Sequence, residues 1–157
     1  MITLLLSNVP AISFLLAVVI ALLRGRPFAQ RLLDWLLLLP IGVGYTWAGI
    51  FHVFFPDIAA QSIGWQVSPF EFEIGVADMA IGITAIISFW QRLPFKAAVV
   101  IYIVLFNLGV TVGHLRDAMA GNLAANNFGL LLVITIAELA ILPLLLYLAA
   151  RDSREPL

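Results

Sequence analysis

Five residues carry most of the chemistry open to this 157-residue chain: His52, Asp78, Asn107, His114 and Glu138. Each stands in, or at the end of, a long apolar run, where a polar side chain is costly unless it meets a partner, a ligand or water. Imidazole, carboxylate and amide groups suit a divalent transition metal better than a soft one, with His52, His114 and Asp78 as the expected metal ligands. The same groups could exchange protons with a quinone packed among Trp and Phe side chains. The two histidines could instead hold haem or another tetrapyrrole. The chain has no cysteine, which excludes a disulfide framework, a thiolate metal site and a redox dithiol of its own. No serine-, cysteine- or metalloprotease-type motif assigns an enzyme class, and a non-enzymatic role is preferred.

The elements that must position these residues follow from composition. Hydrophobic residues make up 63% of the chain and charged residues 11%, with a mean hydropathy of +1.10, well outside the range of water-soluble domains. The net charge of −1 provides no basic field for nucleic acid. About 20 apolar residues in a helix cross a bilayer, and five runs qualify: 2–23, 35–55, 70–91, 97–115 and 127–150. The expectation is an all-α integral membrane protein, one helical domain over 1–157, with the lipid bilayer as its first partner. A stretch of mixed polarity at 57–67 reads as a short interfacial helix, with Trp65 at headgroup depth. The first run precedes Arg24 and Arg26 and so reads as a retained anchor, because a signal peptide carries its positive charges ahead of the apolar run. Arg24, Arg26, Arg31, Arg92, Lys96, Arg151 and Arg154 fall to one side of the spans and only Arg116 to the other. Positive loops stay in the cytoplasm, which predicts an N-terminus outside and a C-terminus inside a plasma (inner) membrane.

Helical periodicity then groups the polar residues, since positions three, four and seven apart share a face. Gly42, Tyr45, Gly49 and His52 form one stripe, and Glu71, Gly75, Asp78 and Gly82 a second. Asn107, Thr111 and His114 form a third, and Asn127 aligns with Glu138. At about 1.5 Å per residue, the two histidines lie shallow, Asp78 and Asn107 deeper, and Glu138 near the midplane. This describes a polar chamber open to the outer side. Glycines 42, 49, 75, 82, 109 and 113 are assigned to close helix packing, with Gly109 and Gly113 in a GxxxG spacing. Ser68, Pro69 and Glu71 form a capping-box pattern that assigns Ser68 and Glu71 to structural capping in preference to ligand binding. Pro40 and Pro143 read as helix kinks, and Asn122, Asn126 and Asn127 as caps or loop ties. No basic residue lies within a predicted span beside Asp78 or Glu138, so each is protonated, paired with His or Asn, or bound to a cation.

The order of these features resembles the DoxX-like membrane proteins: Gly49-Ile50-Phe51-His52 with Pro56-Asp57, Ser68-Pro69-Phe70-Glu71, Gln91-Arg92 and Gly113-His114. Ile63-Gly64-Trp65, Ser68-Pro69-Phe70 and Gly113-His114 through Asn122 resemble, more narrowly, an uncharacterised prokaryotic family of small membrane proteins. The likeness covers about residues 37–146. In the narrower pattern Asn is usual at the place of Asp78 and Asp at that of Glu138, so this chain departs at both. The resemblance implies a bundle of four of the five spans. It also implies association with quinone-linked sulfur oxidation, or with assembly and membrane integrity. Three functions remain open here: an outward-facing chamber that binds or helps to transport a metal ion or small ligand, a homo-oligomeric or accessory subunit of a larger membrane complex, and a quinone-linked redox subunit.

Overall fold

A computed structural model describes residues 8–23 and 27–153. Arg24, Arg26, Arg154 and the first residues of the 2–23 run lie outside the described residues. The elements are helices: α1 (Val9–Ala21), α2 (Phe28–Phe54), α3 (Pro56–Ile63), α4 (Phe70–Ser88), α5 (Leu93–Met119) and α6 (Leu130–Ser153). Three of them, α2, α5 and α6, are long and apolar enough to cross a membrane, and α1 is a shorter apolar helix. The 19-residue α4 carries three acidic residues, Glu71, Glu73 and Asp78.

Apolar helices need no amphipathic stripe when their outer surface meets lipid, and the side chains are distributed accordingly. Leu15, Val19 and Leu22 on α1, Leu105 and Leu108 on α5, and Val133 and Leu144 on α6 are exposed, while Asp34, Glu71, Asp78, Lys96, Asn107 and Glu138 are buried. Polar groups inside and a continuous apolar exterior mark a membrane protein.

The most extensive interface joins the second half of α2 to α4, and its closeness comes from glycine. A Cβ on Gly49 would stand 2.6 Å from the Gly75 carbonyl oxygen, and one on Gly75 would stand 2.8 Å from the His52 Cβ. The packing role expected for Gly42, Gly49, Gly75 and Gly82 is what the structure shows. Gly109 and Gly113 differ: a Cβ on either would meet nothing within 4 Å among the described residues. Gly109 is exposed, and Gly113 borders a hollow.

Helix α2 begins at Phe28 and not at residue 35, and it changes pitch around Pro40, with a π-helical stretch over Leu37–Val43. Proline lacks the N–H that an α-helical turn requires, and a wider turn absorbs the loss. The earlier start brings Asp34 inside the bundle. There its carboxylate accepts a hydrogen bond from the Lys96 ammonium, and both residues are 3% exposed. Lys96 was expected in a loop; because α5 starts at Leu93, it lies in the first turn and turns inward. Around this pair sits the densest packing, with Leu33, Leu36, Leu37 and Ile41 of α2 against Val100 and Ile103 of α5 and Leu142 of α6. The other end of the bundle is hollow.

The expected capping box is corrected as well. Helix α4 is capped by Pro69 without any side-chain hydrogen bond, and Ser68 serves the first turn through its carbonyl, which accepts from the Glu71 N–H at 3.0 Å. The Glu71 carboxylate has turned away from its own helix toward α2. Ser68→Ala is therefore expected to change stability by less than about 0.5 kcal/mol, the range of an ordinary surface substitution. A loss near the ~1 kcal/mol of a true N-cap, measured by thermal unfolding in lipid, would restore the capping reading.

Candidate functional site

A cavity of about 590 Å³ occupies the hollow end, enclosed by α2, α4, α5 and α6, touched by Pro10 of α1, and bordered by Ile63, Trp65 and Ser68. Most of its wall is apolar, including Ala48, Ala77, Phe106, Val110, Leu132 and Ile134. Four of the five residues picked out from the sequence line it: His52, Asp78, His114 and Glu138. The fifth, Asn107, is fully buried one step behind the wall, where its side-chain oxygen accepts a hydrogen bond from the Tyr45 hydroxyl. The Asn107 amide nitrogen and the Thr111 hydroxyl on the next turn have no hydrogen-bond partner among the described residues.

The two deep carboxylates stand in contrast to every other acidic group of the interior. Asp34 has Lys96, and Glu71 has the His52 Nδ1 at 2.6 Å. Asp78 and Glu138 are 7% and 4% exposed and line the cavity. Neither has a hydrogen bond or ion pair to another described residue. Of the three states open to them from the sequence, pairing with His or Asn is not made among the described residues.

The rim is tied together by polar contacts between segments far apart in sequence. His114 Nδ1 lies 2.5 Å from the Asn127 side-chain oxygen. That oxygen can only accept, so the imidazole donates from Nδ1, and in the neutral ring Nε2 is left as an acceptor. The Trp65 ring stacks on His114 with centroids 5.9 Å apart, and its indole N–H donates to Asp117 at 2.7 Å. Asn122 donates from its amide to the Ile63 carbonyl at 2.8 Å and to Asp117 at 2.6 Å. Between them the chain turns through Gly64, whose φ of +74° suits glycine and whose missing Cβ leaves room for the Asn122 side chain. The loop tie expected of Asn122 is thus present. The interfacial segment expected at 57–67 is helical over Pro56–Ile63, with Trp65 just beyond it on the rim.

The metal set expected from the sequence, His52, His114 and Asp78, is not brought together. Among the described residues no three His, Cys, Asp or Glu side chains are grouped so as to hold a metal ion. Each histidine uses Nδ1 on a different partner, Glu71 or Asn127. Sequence reasoning overlooked Trp65 as a stacking partner, Asp117 as the anchor of the rim, and Tyr45 as the link to Asn107. Only for Tyr45 was a signal present, since it shares the stripe with His52.

Residues 7–155 match a family of unknown function (DUF6790), and the chain belongs to that family. No curated protein and no solved structure matches it. The match does not assign the chain to the DoxX-like proteins.

Proposed function

We propose that this member of the family is a five-span membrane protein whose chamber, opening to the outer side, binds a small ligand or helps to carry it across the bilayer. The observation that carries this reading is the pair of unpartnered carboxylates, Asp78 and Glu138, in the wall of a 590 Å³ cavity. Pockets for small ligands measure about 300–1,000 Å³ and are mostly apolar with a few convergent polar groups. Burying two carboxylates with no protein partner is expensive, and a ligand that meets them offsets that cost.

Two further arguments support the five-span, DoxX-like arrangement. Helix α4, at about 1.5 Å per residue, is roughly 28 Å long, close to the ~30 Å hydrocarbon core. Its acidic residues Glu71, Glu73 and Asp78 also border the cavity instead of lipid, with Glu71 on the rim histidine His52. The proposed orientation, N-terminus outside, rests on Arg31, Arg92 and Arg151 against Arg116, together with Arg24, Arg26 and Arg154. Lys96 no longer contributes, because its charge is neutralised inside the bundle by Asp34.

Extracting the protein gently in lipid and recording native mass spectrum, lipid-extract composition, metal content and visible absorbance on one sample tests the reading. The expected result is a small organic molecule retained by the wild type and lost from Val110→Trp, which places an indole in the chamber. Metal content is expected to be negligible and unchanged by His52→Ala or His114→Ala. Equal organic content in wild type and Val110→Trp would end the chamber reading. A strong visible band would transfer the site to a tetrapyrrole, and a stoichiometric metal lost with either histidine would restore the metal site.

One observation favours a second reading, that of a homo-oligomeric or accessory subunit. Gly109 is an exposed small residue of α5 with nothing within 4 Å of an added Cβ among the described residues, a place where another transmembrane helix can approach closely. Migration only with other subunits, and loss of the assembly in Gly109→Leu, are the outcomes this reading requires. A quinone-linked redox role keeps only the resemblance in its favour.

A further inference from the structure

Taking the ligand-binding reading of the chamber as its basis, we propose that the occupant is an organic monocation: an ammonium or other onium centre carried on an apolar body. Asp78 and Glu138 supply its counter-charge.

The argument begins with the sign of the wall. The acidic side chains Asp78, Glu138, Glu71 and Glu73 reach the cavity, and no lysine or arginine does among the described residues. The molecule's interior cation is committed elsewhere, with Lys96 on Asp34 at the packed end. Glu71 already meets His52 at 2.6 Å and Glu73 is exposed, so the buried acidic groups left without a partner among the described residues are the two deep carboxylates. An anion or a zwitterion would leave this imbalance standing, whereas a single positive centre halves it.

The nature of the cation follows from what surrounds the carboxylates. A bare metal ion requires several oxygen or nitrogen ligands in a compact shell, and among the described residues no three His, Cys, Asp or Glu side chains are grouped to provide it. Most of the remaining wall is apolar, with Phe70, Phe106, Tyr45 and Trp65 among it. Aromatic faces attract an onium centre, most strongly when both are away from water, and Tyr45 and Phe106 already stand edge to face with centroids 6.3 Å apart. Aliphatic wall suits the hydrocarbon around the charge. Ala77 also borders a second hollow of about 350 Å³, lined by Ala80, Ile81, Val99, Tyr102 and Ile103 between α4 and α5. That apolar neighbour suits a body that dissolves in lipid.

The full chain reconstituted in lipid nanodiscs provides the test, with radiolabelled tetraphenylphosphonium as the cation. Triphenylphosphine serves as the neutral counterpart and tetraphenylborate as an anion of nearly the same shape, with empty nanodiscs to subtract partition into lipid. Asp78→Asn and Glu138→Gln keep size and hydrogen bonding while removing charge. Unchanged elution and thermal unfolding show that each variant is folded. The expected result is saturable binding of tetraphenylphosphonium to the wild type, weakened at least about tenfold in either variant, with no saturable binding of tetraphenylborate. Equal affinity for triphenylphosphine, or undiminished tetraphenylphosphonium binding in the double variant while Val110→Trp abolishes it, would overturn the cation and leave the chamber standing. Absence of saturable cation binding to the wild type would overturn it too. The organic content of the native mass spectrum then decides separately whether the chamber holds a different ligand.

Discussion

Replacing Asp34 with leucine is expected to destabilise the folded bundle by about 3–5 kcal/mol, the cost of leaving one member of a buried ion pair without the other. Lys96 is 3% exposed, and its ammonium group donates to the Asp34 carboxylate. The pair joins α2 to α5 across 62 residues of sequence, inside the packed end of the bundle. Removing Asp34 strands a buried cation at the packed end of the bundle. The double variant Asp34→Leu/Lys96→Met replaces both charges with apolar groups of similar reach and is expected to regain most of the loss, since a buried pair adds little over a well-packed apolar substitute. Reversible unfolding in mixed micelles, followed by tryptophan fluorescence, measures both. If the single variant loses less than about 1 kcal/mol, as an exposed pair would, the ammonium reaches water and the pair is not the anchor described here.

The second large effect is expected from Gly82→Ala. The added methyl group would collide with the Thr46 hydroxyl, and it would stand 2.5 Å from the Thr46 backbone nitrogen and 2.7 Å from the Gly42 carbonyl oxygen. Two of these three atoms belong to the backbone of α2, so the helices must separate. Separation also disturbs the bond from the Thr46 hydroxyl to the Gly42 carbonyl, now 2.7 Å. Overpacking of this kind costs about 1–3 kcal/mol. Because the same interface carries His52 and Asp78 into the cavity wall, the probe affinity of the chamber is expected to fall along with the melting temperature. Gly109→Ala is the control: with nothing within 4 Å of its Cβ, it is expected to leave the melting temperature unchanged or raise it, alanine being about 1 kcal/mol the better helix former. Equal losses from the two variants would mean that α2 and α4 are not held by glycine contact.

The two effects describe a bundle with unlike ends. One end is closed by Leu, Ile and Val packing around an ion pair. The other is held open by a rim of Trp65, Asp117, Asn122 and Asn127, which fasten the chain after α3 and α5 to one another. Such a rim braces a cavity without filling it, leaving the acidic wall free for a ligand.

Much of this was legible in the amino-acid sequence, for reasons local to each helix. Apolar runs of about 20 residues and a 3.6-residue period determine that the chain is a membrane protein of apolar helices. They also determine that His52, Asp78, Asn107, His114 and Glu138 lie on inward faces, whichever helices those faces meet. The partners of these residues were decided only by tertiary structure, because partner choice depends on how deeply two helices approach and how each is rotated. Glycine contact between α2 and α4 brought His52 to Glu71, which removed Glu71 from its expected cap. The wide turn at Pro40 and the early start of α2 carried Asp34 inward to Lys96, a pairing that no periodicity could indicate across 62 residues. The polar stripes of the four helices converge on a hollow, and what only the tertiary structure decided is that Asp78 and Glu138 meet no partner there among the described residues, since the wall around them is built mainly of side chains that offer no hydrogen bond.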